Sequence, residues 1–334
     1  MILIVTAPED ATANKVESML RARGAQVLRF DSADFPANAN ITIGYRPGIP
    51  KYTFRVRGEV YRFDTLEAVW FRKPGSVQAS AAITDEEVRH VMEQDASEFL
   101  ASVWDSLDCR VLPGKPSAMK VGQRKASQLG RAQQLGFELA PTIVSNDPQE
   151  FLDLYRAESG RLISKINGAL QLRSRMGSEF MRYTNPVSKR DVMRAQSIAH
   201  GPLVLQAYVP KQMEIRVTVV GEQVFAAEIH SQTTNRTKLD WRRYDLGATP
   251  HHPHNLPAVV AQRCVDLVKV SDLTYGTIDL ILTPDGRYVF LELNSAGEYG
   301  WIEQLSGLPI SEAIADFLTG ESHSHTQQAK VRYA

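Results

Sequence analysis

The stretch TIDLILTPDGRYVFLELN, residues 277–294, reads as a β-hairpin that carries three oxygen ligands. Two apolar-rich runs, 277–283 and 287–293, flank the turn signal Pro284-Asp285-Gly286. Side chains alternate along a strand, so Glu292 and Asn294 share one face while Leu291 and Leu293 point into a core. The turn decides where Asp279 goes. A loop of two or four residues places it opposite Phe290, on the Glu292 face and diagonal to that carboxylate. A three-residue loop puts it on the other face. Two carboxylates and an amide suit magnesium, which takes hard oxygen ligands and leaves other positions for water and phosphates. The plain alternative is the polar face of a solvated hairpin.

Working outward, residues 214–220 and 223–230 form a second hairpin turning at Gly221-Glu222, preceded by a strand over 203–208, and a helix over about 256–270 separates the two hairpins. Helices on antiparallel hairpins predict an α+β region. Glu214 and Arg216 lie on one strand face, with Ile215, Val217 and Val219 on the other. A carboxylate binds ribose hydroxyls and an arginine fork suits a phosphate or acyl phosphate; a Glu–Arg salt bridge is the simpler account. Just before them, Gln206-Ala207-Tyr208-Val209-Pro210 reads as a hinge whose backbone groups read adenine. Lys165 sits in an apolar strand, 162–166, turning at Asn167-Gly168, where a buried ammonium needs an anion unless it snorkels from an edge. Lys125 opens a helix that runs to Leu135 and stops at Gly136, and Pro148 begins another that ends by Gly160. Both lysines fall where phosphates need cations. His251-His252-Pro253-His254 lacks a fourth zinc ligand and reads as a solvated loop. His230 fits either a substrate contact or a core histidine.

The N-terminal residues have a different pattern. Strands at 2–6 and 27–30 enclose a helix at 10–23, a βαβ unit, but its first turn is Ala7-Pro8-Glu9-Asp10 and offers no glycine-rich phosphate cradle. A hairpin over 52–63 turns near Arg57-Gly58, residues 68–72 read as a strand, and Thr84-Asp-Glu-Glu87 reads as a capping box opening a helix to about Leu107. The predicted architecture is thus α/β followed by α+β, divided as 1–114, 115–202, 203–320 and a disordered polar tail, 321–334. With 334 residues and 43% hydrophobic content, two or three domains are expected. The 38 basic residues balance 38 acidic ones, so no global field favours nucleic acid or an anionic membrane. No apolar run reaches a membrane span, and two cysteines without zinc spacing read as small buried hydrophobes; a cytoplasmic protein is expected.

The order Lys125, Lys165, the hinge 206–210, Glu214, Asp279 and Glu292-x-Asn294 resembles the ATP-grasp superfamily over residues 115–320. Further segments narrow the match: Tyr208-Val209-Pro210-Lys211, Glu214-Ile-Arg-Val-Thr-Val-Val-Gly221, Ile229-His-Ser-Gln232, Asp240-Trp-Arg-Arg-Tyr244, Glu292-Leu-Asn-Ser-Ala-Gly297, Trp301-Ile-Glu303 and Gly307-Leu-Pro309. Together they resemble the microviridin-type, or graspetide, peptide ligases, and residues 1–114, with Val69-Trp-Phe-Arg-Lys-Pro74, resemble that family's pre-ATP-grasp domain. The resemblance implies ATP and Mg2+ as cofactors and phosphorylation of a side-chain carboxylate of a ribosomal precursor peptide, leader plus core. A Ser or Thr hydroxyl or a Lys amine of the same peptide then attacks. It implies Lys125, Lys165, Gln206, Ala207, Tyr208, Val209 and Glu214 at the nucleotide, and Asp279, Glu292 and Asn294 at the metal. Arg216, Arg242 or Arg243 would stabilise the acyl phosphate, with His230 as a further candidate. The segment 168–177, with Arg173 and Arg175, would be a lid, and Asp191, on a helix read over 188–199, is a candidate for the leader. Many small-molecule ATP-grasp ligases have arginine two residues before the metal-binding aspartate, where this chain has Thr277. Expected partners are the precursor peptide and a second copy of the chain in a homodimer. The competing expectations are an amino-acid or small-peptide ligase similar to glutathione synthetase or the glutamate ligases, and a non-catalytic nucleotide-binding regulator.

Overall fold

The structure is a computed structural model that describes residues 1–48, 52–167, 171–173, 179–181, 184–233 and 249–321. The chain divides into two compact units, Met1–Lys115 with Pro309–Ala334, and Pro116–Leu308.

In the first unit, β1 (Ile2–Val5), α1 (Ala11–Ala22) and β2 (Val27–Phe30) form the βαβ unit read from the sequence, and Asp10 caps α1 by accepting from the Thr12 and Ala13 N–H groups. The antiparallel strands β3 (Ala39–Ile43), β4 (Tyr52–Val56) and β5 (Glu59–Arg62) follow, with Arg57 and Gly58 both at positive φ in the β4–β5 turn. Then β6 (Ala68–Phe71), α2 (Glu86–Asp105) and β7 (Arg110–Leu112) complete a parallel sheet of order β2-β1-β6-β7. The cap of α2 is Asp85, one residue later than the capping box read at Thr84, because its carboxylate reaches the Glu87 and Val88 N–H groups. Phe30, Phe54, Phe63, Phe71 and Trp104 pack edge-on and tilted in the core. The C-terminal helix, Ile310–Thr319, packs here against α1, and buried Asp316 lies 2.6 Å from Arg23.

The second unit runs through α3 (Pro116–Gly122), α4 (Lys125–Gln134), β8 (Glu138–Leu139), β9 (Thr142–Ser145), α5 (Pro148–Ala157), β10 (Leu162–Lys165), the pair β11 (Gln171–Arg173) and β12 (Glu179–Met181), and β13 (Asn185–Pro186). It continues with α6 (Lys189–Met193), β14 (Leu203–Ala207), β15 (Met213–Val220), β16 (Gln223–Ile229), β17 (His251–Pro253), α7 (Ala258–Lys269), β18 (Tyr275–Leu282), β19 (Tyr288–Asn294) and α8 (Gly300–Ser306). Besides the β11–β12 pair, the described residues form a sheet ordered β13-β10-β14-β9 and a larger one ordered β17-β16-β15-β18-β19-β8. The strand at 203–207 is therefore central to the smaller sheet, between β10 and β9, although the sequence reading opened the following segment with it. The helix read over 188–199 breaks at Arg194 into α6 and a 3-10 stretch, Ala195–His200.

The larger sheet has one apolar and one polar face. Ile215, Val217, Val219, Ile278, Leu280, Phe290 and Leu293 pack with Val260, Cys264, Leu267 and Val268 of α7. Cys264 is fully enclosed and burial pushes its thiol up to about 12, so it acts as a small hydrophobe. Cys109 is only partly buried. No helix among the described residues is long and apolar enough to cross a membrane.

Candidate active site

The register of β18 and β19 is what assembles the polar face. Their turn is the three-residue one: the Thr283 N–H donates to the Arg287 carbonyl at 3.0 Å, and Gly286, at φ +82°, closes Pro284-Asp285-Gly286. Leu282 pairs Tyr288 and Leu280 pairs Phe290, and continuing that ladder would set Asp279 against Leu291. A β-bulge between Asp279 and Leu280 intervenes, and Asp279 pairs Glu292 while Thr277 pairs Asn294. The extra residue on β19 cancels the offset of the turn. It also lets Phe290 and Leu293, three positions apart, both enter the core, while Leu291 joins Glu292 in lining the cleft. The sequence reading had sent Leu291 inward; the bulge is the reason it is not there.

Arg216 stands opposite Asp279 on the next strand, and its Nη1 lies 2.8 and 2.9 Å from the two carboxylate oxygens. Its partner is thus Asp279, not Glu214. Glu214 pairs with Lys211, Nζ to Oε1 2.5 Å, both side chains being about 5% exposed or less. Burial raises the Glu214 carboxyl above the ordinary range, against the pull of Lys211 and the Ser231 hydroxyl. Lys125, first residue of α4, reaches Glu292 at 2.8 Å. Each carboxylate of the hairpin therefore already faces a cation.

Above this face lies an open cleft with both polar and apolar walls. Lys165, Gln206, Ala207, Tyr208, Val209, Glu214, Asp279 and Glu292, all singled out from the sequence, line it. Lys165 donates to Gln206 Oε1 at 3.0 Å, and Gln206 in turn donates to Thr142 Oγ1 at 2.8 Å. That chain crosses β10, β14 and β9 and explains how a lysine sits in an apolar strand. Lys125 and Arg216 meet the cleft through Glu292 and Asp279, and Asn294 lies two residues beyond Glu292 on the same strand. Lys211, Thr184, Ile163, Ile281 and Leu291 also line the cleft and went unassigned from the sequence. Lys211 had a signal, standing three residues before Glu214; the apolar ones had none, since their position depends on how two sheets face each other.

The other candidates fall elsewhere. His230 does not line the cleft: its Nε2 lies 2.9 Å from Glu228, whose second oxygen meets His254 Nδ1 at 2.8 Å. His254 Nε2 reaches the Tyr288 hydroxyl at 2.8 Å, and His251 is buried edge-on against Trp301. The stretch 251–254, read as a solvated loop, is instead the edge strand β17 and its continuation, paired to β16. Asp191 is the third residue of α6, and its carboxylate accepts from the Ser188 N–H at 2.7 Å and hydroxyl at 2.6 Å, a capping box. Arg242 and Arg243 lie outside the described residues, as do Arg175 and the segment 168–177 apart from β11.

The donor set fits a magnesium ion: two carboxylates directly opposed across a ladder, an amide two residues on, and cations nearby to share the charge of phosphates. Among the described residues, no group of three or more His, Cys, Asp or Glu side chains converges as a metal site, so Asn294 and ligand oxygens are needed to complete one.

Comparison with known proteins accords with this geometry. Residues 1–118 match the model of the MvdD pre-ATP grasp domain and residues 145–318 that of the RimK-like ATP-grasp domain. The macrocyclase MdnC from Microcystis aeruginosa MRC, solved with precursor peptide MdnA, is 27% identical with a TM-score of 0.84, covering 96% of this chain and 100% of that one. A RiPP-associated ATP-grasp ligase of Chryseobacterium gregarium, in complex with ADP and a leader and core peptide, is 27% identical with a TM-score of 0.89, over 96% and 97% of the two chains. The macrocyclase MdnB from Microcystis aeruginosa MRC is 30% identical with a TM-score of 0.77, over 95% and 98%. No curated protein sequence gives a significant match. The chain belongs to the RimK-like ATP-grasp family, with an MvdD-type pre-ATP-grasp domain, and is an ATP-dependent ligase.

Proposed function

We propose that this ligase macrocyclises a ribosomally made precursor peptide, using ATP to activate Asp or Glu side chains as acyl phosphates that Ser or Thr hydroxyls, or Lys amines, of the same peptide attack. The observation that carries the proposal is the pairing of Asp279 with Glu292 beneath a cleft lined by Lys165, Lys211 and the hinge, in a chain aligned along nearly its whole length with ligases solved with precursor peptides.

The apolar lining, Ile163, Ala207, Val209, Ile281 and Leu291, suits a flat purine, and since the Ala207 and Tyr208 N–H groups already donate to the Pro141 and Arg161 carbonyls, hinge hydrogen bonds to the base would come from Val209. Glu214 would take the ribose hydroxyls, and Lys165 the phosphates. Magnesium, held by Asp279, Glu292 and Asn294, would neutralise phosphate charge and polarise the phosphoryl group. With Glu292 holding the ion, Lys125 would be available to a phosphate oxygen. Arg216, fixed by Asp279, would offer its guanidinium to the charge that grows on the acyl oxygen, and the rest of the catalysis would be positioning.

The test is incubation with ATP, Mg2+ and a short peptide encoded beside this gene that carries repeated Thr or Ser and Asp or Glu. Mass spectrometry should show loss of one water per ring formed, and fragmentation should locate each ester or amide. Addition of a free amino acid to the peptide, without loss of water from the peptide itself, would support an amino-acid ligase instead.

A further inference from the structure

Beyond residue 290, strand β19 has a neighbouring strand on one side only among the described residues. β18 pairs it through Asn294, but β8, its other neighbour, pairs Val289 and Phe290 and goes no further. The outward peptide groups of Leu293, between the two hairpin ligands, would be left without a strand to bond. A single side chain fills that place. Gln128 of α4, 4% exposed, accepts from the Leu293 N–H at 3.1 Å through Oε1 and donates to the Leu293 carbonyl at 2.7 Å through Nε2. The second Nε2 hydrogen goes to the Gly122 carbonyl at 2.6 Å, at the end of α3. The carboxamide has the same donor and acceptor as a peptide group, and here it stands in for the missing residue of a neighbouring strand.

The placement matters because of what Leu293 separates. Glu292 and Asn294 are its immediate neighbours, and Lys125, which contacts Glu292, lies three residues before Gln128 on the same face of α4. One residue past Asn294, Ser295 donates to the Met119 carbonyl of α3 at 3.1 Å and is fully buried. The ligand-bearing end of β19 is thus fastened to the α3–α4 pair at Leu293 and Ser295.

We infer that Gln128 is a positioning residue for the metal ligands: by holding both peptide groups of Leu293 it fixes the directions in which Glu292 and Asn294 project. Glutamine is suited to this as no apolar or charged side chain is. An apolar one leaves a buried N–H and a buried carbonyl unpaired, and a carboxylate repels both carbonyls. This inference rests on the metal role proposed for the hairpin.

The experiment is binding of a non-hydrolysable ATP analogue across a magnesium titration, for the wild type, Glu292→Ala and Gln128→Met, the last keeping side-chain length. Residues that orient ligands from behind typically change metal affinity about 10–100-fold. The magnesium concentration giving half-maximal enhancement of binding should rise about tenfold in Gln128→Met, while affinity for the analogue without magnesium stays within about twofold. A folded Gln128→Met with wild-type magnesium dependence would overturn the inference. Absence of magnesium dependence in the wild type, or its persistence in Glu292→Ala, would instead overturn the metal site on which it depends. Should Gln128→Met not fold, Gln128→Glu, which retains the acceptor for the Leu293 N–H, is read by the same criterion.

Discussion

Replacing Arg216 by alanine tests both the ion pair its geometry shows and the catalytic role proposed for it. The guanidinium and the Asp279 carboxylate are 5% and 9% exposed and meet at 2.8 Å. Deleting one partner of such a buried pair leaves the other charge without compensation, at a typical cost of about 3–5 kcal/mol. The lower end applies, since the Asp279 side chain keeps partial access to solvent at 9% exposed, so about 3 kcal/mol is expected in metal-free buffer. For a unit of this size that corresponds to a drop in Tm of roughly 6–12 °C. Magnesium with an ATP analogue should recover part of the loss, because ligand that binds only the folded state stabilises it by mass action. Turnover is a separate matter: a preorganised donor to a developing oxyanion is worth about 10²–10³ in rate. Thermal melts with and without magnesium, and mass spectrometric counting of water loss per peptide, read the two effects independently. A well-folded Arg216→Ala with near-normal dehydration would refute the catalytic role and move it to Arg242 or Arg243. An unchanged Tm in metal-free buffer would refute the energetic account of the pair.

Glu214 gives a pH dependence. Its carboxyl is held above the ordinary range by burial, so the folded state binds its proton more tightly, and the contribution to stability is present at low pH and lost as pH rises through the raised pKa. Denaturant titrations of Glu214→Gln should show a shallower decline over that window than the wild type; parallel curves would contradict the shift. A Cβ on Gly297 would lie 1.7 Å from Thr277 Oγ1 and 2.7 Å from Thr277 Cβ, so Gly297→Ala should lower stability by about 3 kcal/mol or displace the segment after Asn294, as seen in denaturation and in weakened magnesium-dependent binding. Asp191→Ala removes the N3 half of the α6 capping box while leaving the Ser188 cap, and should cost less than about 1 kcal/mol, measured by chemical denaturation. A fall in precursor affinity in the folded variant would assign Asp191 a peptide contact as well.

Much of this site was legible because it lies on strands, where alternation tells which residues share a face. Glu214 with Arg216, and Glu292 with Asn294, needed no more than that. Asp279 was different. Its face depended on a turn length and, as it proves, on a bulge, and neither is encoded by local propensity: Leu291 looks like any other strand leucine. The partner of Arg216 was equally hidden. That Arg216 faces Asp279 follows from the pairing of β15 with β18, whereas Lys211 stands three residues before Glu214 and only the path of the hinge decides that the two meet. Lys165 looked anomalous in an apolar strand, and the structure places it on the wall of the cleft. The histidines at 251–254 misled because prolines on either side suggest a loop, whereas an edge strand tolerates proline on its unpaired side.

The bulge on β19 sets regularity against use. Without Leu291 the strand would alternate without fault, Phe290 inward, the carboxylate outward, Leu293 inward and the amide outward, and the two carboxylates would still meet. The hairpin would be simpler and the cleft would lose an apolar wall. By keeping the irregular residue, the strand offers two successive side chains to the same side, one apolar and one carboxylate, about 3.8 Å apart at their α-carbons. In the proposed function the spacing between the seat of the base and the seat of the charge would then be set at this point by the covalent chain, so a substitution that loosens packing elsewhere would tilt the two together and do little to pull them apart.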